Sequence, residues 1–409
     1  MKSASRYPWQ LVALLWVVAL LNYMDRQMIA TMRPAMQVDF PSLEQAANFG
    51  RLMAVFLWIY GLMSPFAGWI ADRFNRKRLI VGSLFVWSTV TLSMGLSTSL
   101  DMLYVLRAIM GVSEALYFPA ALSLIADHHS ERTRSRAMGL HLSGIYLGQA
   151  LGGFGSTVSS MTSWKIAFIS FGGIGMLYSI FLLFALKDPS REQSNWRSEK
   201  KDLSSPFKGL SDLLGSFPFW IMIFYFAIPS LPGWAVKNWA PTLISSSLHI
   251  DMPLAGPLTT ISISLSSFGG VLLGGWLSDK WFSIHSRGRI FTSVIGLSLT
   301  IPSLLLLGFI ETLPAVLLGA ILFGLGFGIF DCNNMPILCQ FIKEEHRATG
   351  YGLLNTAGFM AGAFITEFLG KSTDDGQLGT DFAWLAAVVI LIIFIQLSFL
   401  KIPRQIPPS

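Results

Sequence analysis

The chain has 409 residues, of which 53% are hydrophobic and only 13% charged, with a formal net charge of +6. Soluble proteins carry roughly a quarter charged residues, and this much apolar surface belongs in a bilayer, where lipid wets a helix on every side. The Lys and Arg residues sit in short loops between apolar runs, not in a basic groove with interleaved aromatics, so nucleic acid is excluded as the partner.

A hydrocarbon core about 30 Å thick needs about 20 residues of helix. Six such runs are predicted at 8–32, 48–73, 79–99, 102–126, 135–160 and 164–187. Lys2 and Arg6 precede the first run without a small-residue cleavage site, so it reads as a membrane helix rather than a removed signal. The hydrophilic stretch from Asp188 to Ser211 follows. Six further runs lie at 216–246, 254–282, 289–310, 314–341, 346–370 and 381–402. The expected fold class is therefore an all-α membrane protein of twelve helices. It divides into a first six-helix bundle over 1–187, a cytoplasmic linker over 188–215 and a second bundle over 216–409.

Orientation follows from the loops. With the amino terminus inside, one side collects Arg73, Arg76, Lys77, Arg78, Arg132, Arg134, Arg136, Lys280, Arg287, Arg289, Lys343, Arg347, Lys401 and Arg404. The other side holds little beyond Lys165 and Lys371. That asymmetry places both termini in the cytoplasm, and a bacterial inner membrane is the expected location.

The halves repeat. Gly68-Trp69-Ile70-Ala71-Asp72 closes the second run and Gly275-Trp276-Leu277-Ser278-Asp279 the eighth. Arg136-Ala137-Met138-Gly139 opens the fifth, and Arg347-Ala348-Thr349-Gly350 the eleventh. Parallel repeats of six helices are the sequence signature of a transporter that rocks one half against the other.

The loop Gly68-Trp69-Ile70-Ala71-Asp72-Arg73-Phe74-Asn75-Arg76-Lys77-Arg78 resembles the G-x-x-x-D-R-x-x-R-K-R motif of the major facilitator superfamily. The resemblance implies a gating network of Gly68, Asp72, Arg73 and Arg76 that keeps the cytoplasmic side closed in the outward-facing state. Three stretches are similar to the anion:cation symporters of sugar acids and sialate. They are Leu21-Asn22-Tyr23-Met24-Asp25-Arg26, Arg107-Ala108-Ile109-Met110-Gly111-Val112-Ser113-Glu114-Ala115 and Phe118-Pro119-Ala120. Spinster-type lipid carriers share the first element and the Arg-to-Glu spacing. The loop His128-His129-Ser130-Glu131-Arg132 departs from the aromatic-Pro pair usual in the anion carriers, which leaves the substrate class open.

An ionisable group in the hydrocarbon region costs about 2.5–3.5 kcal/mol on insertion scales, so each needs a partner or an aqueous cavity. Asp25, Arg26, Arg107, Glu114 and Asp331 lie in such positions. Arg107 and Glu114 are seven apart on one helix face, while Asp25 and Arg26 diverge around theirs. The economical pairing sets Asp25 against Arg107 and Arg26 against Glu114, and the resemblance implies the same. A substrate carboxylate that takes over an arginine would release a desolvated carboxylate to accept a proton. Asp25, Glu114 and Asp331 are the candidate proton-coupling residues.

Candidate substrate contacts are Tyr23, Arg26, Tyr60, Arg107, Tyr146, Gln149, Lys237, Asn238, Asn334 and Asn355. Their hydroxyls, amides and positive groups suit a polyhydroxylated anion. Tyr117, His141, Ser143 and Thr356 are further polar positions facing the same region, His141 as a gate or interface residue. Pro229 and Pro232-Gly233 predict a kink in the seventh helix just before Lys237. Gly148-Gln149-Ala150-Leu151-Gly152-Gly153 and Gly324-Leu325-Gly326-Phe327-Gly328 lie inside apolar runs and read as close helix packing, not phosphate loops. Cys332 and Cys339 are too far apart on a helix to form a disulfide.

No catalytic triad, metal cluster or nucleotide motif is expected, and no cofactor beyond a proton as coupling ion. The reading is a monomeric proton-coupled symporter of a small organic anion, a hexuronate, aldonate or sialate. The alternative is a spinster-like carrier of an amphipathic lipid.

Overall fold

Each apolar run is long enough to satisfy its own backbone hydrogen bonds across a bilayer, and each becomes a helix. The computed structural model describes residues 7–187, 213–342 and 347–400, with the side chains of Asp72, Glu131, Arg132, Ser135, Arg347 and Ala348 left out. The stretch Asp188–Ser211 lies outside the described residues. In the first half the helices are α1 (Tyr7–Met28), α2 (Ala46–Arg73), α3 (Arg76–Gly95), α4 (Leu100–His128), α5 (Glu131–Gly152) and α6 (Trp164–Ala185). In the second they are α7 (Phe217–Leu248), α8 (Met252–Phe282), α9 (Gly288–Phe309), α10 (Leu313–Asp331), α11 (Arg347–Asp374) and α12 (Leu378–Phe399). Among the described residues, eleven of these spans are long and apolar enough to cross a membrane by length and composition. The twelfth, α5, opens with charged residues and carries His141, Ser143 and Gln149 along its length.

Two predicted helices are interrupted. The fifth run breaks at Gly153 and resumes as Gly155–Met161. The tenth breaks after Asp331 and resumes as Asn334–Phe341. At the second break Asn333 Nδ2 donates to Ile329 O at 2.8 Å, a side-chain bond that competes with the helical ladder. Helix starts are set locally: Asn75, Ser99 and Ser163 each accept a hydrogen bond from a backbone N–H in the first turn.

Within the first half α1 packs on α5, α3 on α6, and α4 on both α2 and α3. Within the second, α7 packs on α11, α10 on α8 and α9, and α12 on α9. One detail repeats between halves. Arg76 donates to Ser123 O at 3.3 Å, and Arg289 to Pro336 O at 3.4 Å, each spanning 47 residues. Arg76 is also ion-paired with Asp127, so this motif arginine ties α3 to α4 inside the first half.

The two halves meet along α2–α11 and α5–α8. The end that carries Arg76, Arg78 and Arg289 is termed the basic end, and the opposite one the far end. At the far end the halves are closed. A Cβ at Gly50 would fall 2.9 Å from Thr366 O, and one at Gly153 would overlap Thr260 Oγ1. Small residues thus let backbones touch. Side chains then bond to the backbone of the opposite half: Gln27 to Lys237 O at 2.8 Å, Ser156 to Met252 O at 2.9 Å, Thr157 to Pro253 O at 2.7 Å. Asp374, at the end of α11, accepts from the N–H groups of Ala46 and Ala47 at 2.7 and 2.9 Å and so caps α2 across the interface.

Toward the basic end the halves part. A Cβ at Gly68, Gly139 or Gly275 would meet nothing within 4 Å. Asp331, halfway down the second bundle, is exposed. Of the expected gating residues, Arg73 lies exposed over the Trp69 ring at 4.1 Å, and the Asp72 side chain falls outside the described residues.

Two predictions concern the far end. Gly153→Ala forces Thr260 and Gly256 away, so labelling of a cysteine placed on the far-end rim should rise and transport should fall. Asp39 accepts from Lys165 Nζ at 2.9 Å and Trp164 Nε1 at 2.6 Å, and the Lys165 contact chiefly holds its carboxyl below the usual range. Its contribution to stability is present above the unfolded carboxylate pKa and is lost as pH falls through the depressed folded value. Asp39→Asn should therefore lower the melting temperature at neutral pH, and its difference from the unsubstituted protein should shrink as pH falls through the carboxylate range.

Candidate functional site

Between the closed far end and the parted basic end lie the charged side chains of both bundles. Arg26 on α1 reaches Glu114 on α4 at 2.5 Å, as the sequence predicts. The Glu114 side chain is fully buried and that of Arg26 is 10% exposed. Tyr23, Phe56 and Tyr60 surround the guanidinium, with ring centroids 4.6, 4.7 and 5.1 Å away. Aromatic faces favour a cation without neutralising it. Arg26 Nε and Nη1 and Glu114 Oε1 are buried without hydrogen-bond partners. Buried polar atoms are nearly always satisfied, so these three mark where a ligand or water would bond.

The second expected pair does not form. Asp25 faces Thr91 of α3, whose hydroxyl donates to Oδ2 at 3.4 Å, while Oδ1 is unpartnered. Arg107 turns into the α2–α4 interface. It donates to Leu52 O at 3.4 Å and lies over Phe56 at 4.6 Å. The reason is rotational: Asp25 is carried to the α3 side of α1 by the same turn that aims Arg26 at α4. Phe56 therefore lies against two guanidinium groups, and it is fully buried.

The second half contributes Lys237, Asp331 and Asn334. Lys237 Nζ stands 5.1 Å from the Trp234 ring and 5.7 Å from Phe327. Among the described residues no carboxylate lies within 4.0 Å of it. Asp331 and Arg26 act on its charge from further away. Asn334 Nδ2 donates to Asp331 Oδ1 at 3.1 Å and leaves its own carbonyl oxygen unpartnered. An aromatic line joins the two halves: Tyr60 stacks on Phe359 at 4.1 Å, and Phe359 meets Trp234 at 5.2 Å. Arg26 stands at one end of this line and Lys237 at the other.

The remaining predicted contacts divide. Tyr146 lies beside Phe268 of α8, 5.9 Å between centroids, at the point where the halves begin to part. Gln149 and Gln27 line a space of about 10 Å³ with Lys237, Thr260 and Ser264, on the far-end side of the charges. Asn355 is half-buried beside Tyr351. The Asn238 amide donates to Thr366 at 2.8 Å, which ties α7 to α11. Tyr117 bonds Leu15 O at 3.1 Å inside the first bundle, and His141 is fully buried against it. Phe56, Trp234, Phe327, Tyr351 and Phe359 are absent from the sequence-based set. The spacing of Phe56 and Tyr60, one turn apart on α2, is a signal that could have found part of it.

The sequence profile described as Major Facilitator Superfamily matches residues 15–366. The D-galactonate transporter of Escherichia coli O6:H1 is 26% identical, over 93% of this chain and 92% of that one. Protein spinster homolog 1 of Xenopus tropicalis is 28% identical over 91% of this chain and 74% of its own. A solved bacterial homolog of the human lysosomal transporter Spinster, inward-facing and occupied, superposes with a TM-score of 0.73 at 18% identity and covers 96% of both chains.

The buried pair makes a stability prediction. Arg26→Leu leaves Glu114 without a counter-ion and should destabilise the purified protein by about 3–5 kcal/mol. Removing both charges in Arg26→Leu/Glu114→Leu should recover much of that loss in the same thermal melt.

Proposed function

The chain belongs to the Major Facilitator Superfamily and is a membrane transporter, not an enzyme; we propose that it is a proton-coupled symporter of a small organic anion. The observation that carries this reading is a charge balance. Arg26, Arg107 and Lys237 oppose Asp25, Glu114 and Asp331 across one region of the membrane, so the cluster is formally neutral. A bound carboxylate adds one negative charge where uncompensated charge is expensive, and a proton restores neutrality. Glu114 is positioned to take that proton. It holds Arg26, and its second oxygen has no hydrogen-bond partner in the protein.

The proposed cycle starts with the basic end toward the cytoplasm, which is the orientation its Arg and Lys residues favour. The parted halves then form an inward-facing state. Opening the far end requires breaking the Gln27, Ser156, Thr157 and Asp374 bonds. The polar groups of Tyr23, Tyr60, Tyr146, Gln149, Asn334 and Asn355 suit the hydroxyls of a sugar acid such as a hexuronate, aldonate or sialate. The full-length similarity to a D-galactonate transporter supports that class.

A second reading, transport of an amphipathic lipid, is favoured by the aromatic line through Tyr60, Phe359 and Trp234 and by the similarity to spinster homologues.

Uptake into proteoliposomes separates the two. Labelled galactonate, glucuronate, sialate, neutral hexoses and a lysolipid would be offered with an inward proton gradient, with and without an ionophore. Gradient-dependent uptake of one acid is expected, and movement of lysolipid alone would overturn the reading. Glu114→Gln should retain exchange of the acid and lose gradient-driven accumulation. Unchanged accumulation would move the proton site elsewhere.

A further inference from the structure

The two halves handle their central cation differently, and the difference lies at one position. The fourth and tenth spans, Leu100–His128 and Leu313–Phe341, are both 29 residues long. The matched bonds of Arg76 to Ser123 and Arg289 to Pro336 put them in the same register, 213 residues apart. In that register the partner of Glu114 is Phe327, and the partner of Phe118 is Asp331. The first half sets a carboxylate against its cation. The second sets a phenyl ring against Lys237.

We propose that Phe327 is the specificity-determining residue of the second half, keeping Lys237 free of an internal counter-ion so that the acid group of the ligand completes the pair. The proposal rests on the organic-anion reading and assigns the anchor for the acid to α7 rather than to Arg26. Arg26 already holds Glu114, whereas Lys237 has no carboxylate within 4.0 Å among the described residues. The rings of Phe327 and Trp234 stabilise its charge through their quadrupoles and leave the full positive charge in place.

The ring has a built seat. A Cβ at Gly233, one turn before Lys237, would come within 2.5 Å of the ring edge. Pro232 and Gly233 therefore supply the gap that the ring occupies. Phe323 stacks on Phe327 from the preceding turn at 5.5 Å with planes 10° apart. Gly324 and Gly328 press against Ile263 O and Ser267 O of α8, which fixes the rotation of α10 and aims Phe327 at α7. Asp331 stands one turn further along, exposed and bonded to Asn334, too distant to close an ion pair with Lys237. It attracts the lysine from beyond ion-pair distance and does not neutralise it.

This arrangement selects a ligand with one acid group placed at the second half and hydroxyls directed to Asn334, Asn355 and Tyr60. A neutral sugar leaves Lys237 unpaired and is rejected, because a buried charge without a partner is the larger penalty.

The test uses full-length protein in proteoliposomes with labelled galactonate, glucuronate and sialate under an inward proton gradient. Phe327→Glu restores the arrangement of the first half by giving Lys237 an internal carboxylate, and it should lower uptake of the transported acid by about tenfold or more. Phe327→Gln, similar in size and uncharged, should lower uptake less than Phe327→Glu does, and an equal loss in both overturns the assignment. Lys237→Gln should lose uptake as Phe327→Glu does. Melting temperatures of the three variants in detergent identify any that fail to fold, and Phe327→Gln controls for loss of the ring. Full uptake by a folded Phe327→Glu or Lys237→Gln protein overturns the assignment of Phe327 while leaving the symport reading intact. Absence of acid uptake by the unsubstituted protein overturns both.

Discussion

A charge in a medium that cannot solvate it must be matched within a few ångströms, and the arrangement of this protein follows from that constraint. Coulomb attraction between Arg26 and Glu114 is strong because both are removed from water. Desolvation of each is expensive for the same reason, so the pair contributes little net stability. Its worth lies in being exchangeable. On the proposed reading a proton taken up by Glu114 loosens the pair at low net cost while the ligand acid pairs with Lys237, and Arg26 Nε, Arg26 Nη1 and Glu114 Oε1 have no hydrogen-bond partner in the protein. The aromatic rings around both cations continue the same logic, holding positive charge without cancelling it.

Closure of the far end is built from the opposite kind of interaction. Gly50, Gly153 and Gly256 let backbones meet, and single side-chain-to-backbone bonds cross the interface. Each such bond contributes about 1 kcal/mol net. Under the proposed cycle, in which the far end opens and closes, many weak contacts suit that gate better than one strong one. The Asp374 cap on α2 extends this to the helix ends, where unpaired N–H groups would otherwise seek water. At the basic end, Gly68, Gly139 and Gly275 face open space. They are the residues small enough to allow the halves to approach there instead.

Helix count, the repeat and the Arg26–Glu114 contact were legible in the chain. Apolar run length, matched Gly-Trp motifs and charge placement depend on nearest neighbours and helical periodicity. The breaks at Gly153 and after Asp331 were missed, because hydropathy does not register a side chain that competes for a backbone carbonyl. Asp25 and Arg107 were misassigned as a pair. Their spacing on separate helices was compatible with contact, but the roll of α1 sends Asp25 to Thr91, and the α2 interface absorbs Arg107. The amide of Asn238, a candidate ligand contact, donates to Thr366 and ties α7 to α11, which the sequence pattern did not indicate.

The sequence by itself determined which segments cross the membrane, that two halves repeat, and which buried charges needed partners, since these follow from solvation and from a fixed helical period. Only the tertiary structure decided which partners they obtained. Helix rotation, interaxial contact and the seat for a ring at Gly233 depend on residues far apart in the chain. The aromatic line from Tyr60 through Phe359 to Trp234 joins three helices from two halves, and no local pattern encodes it.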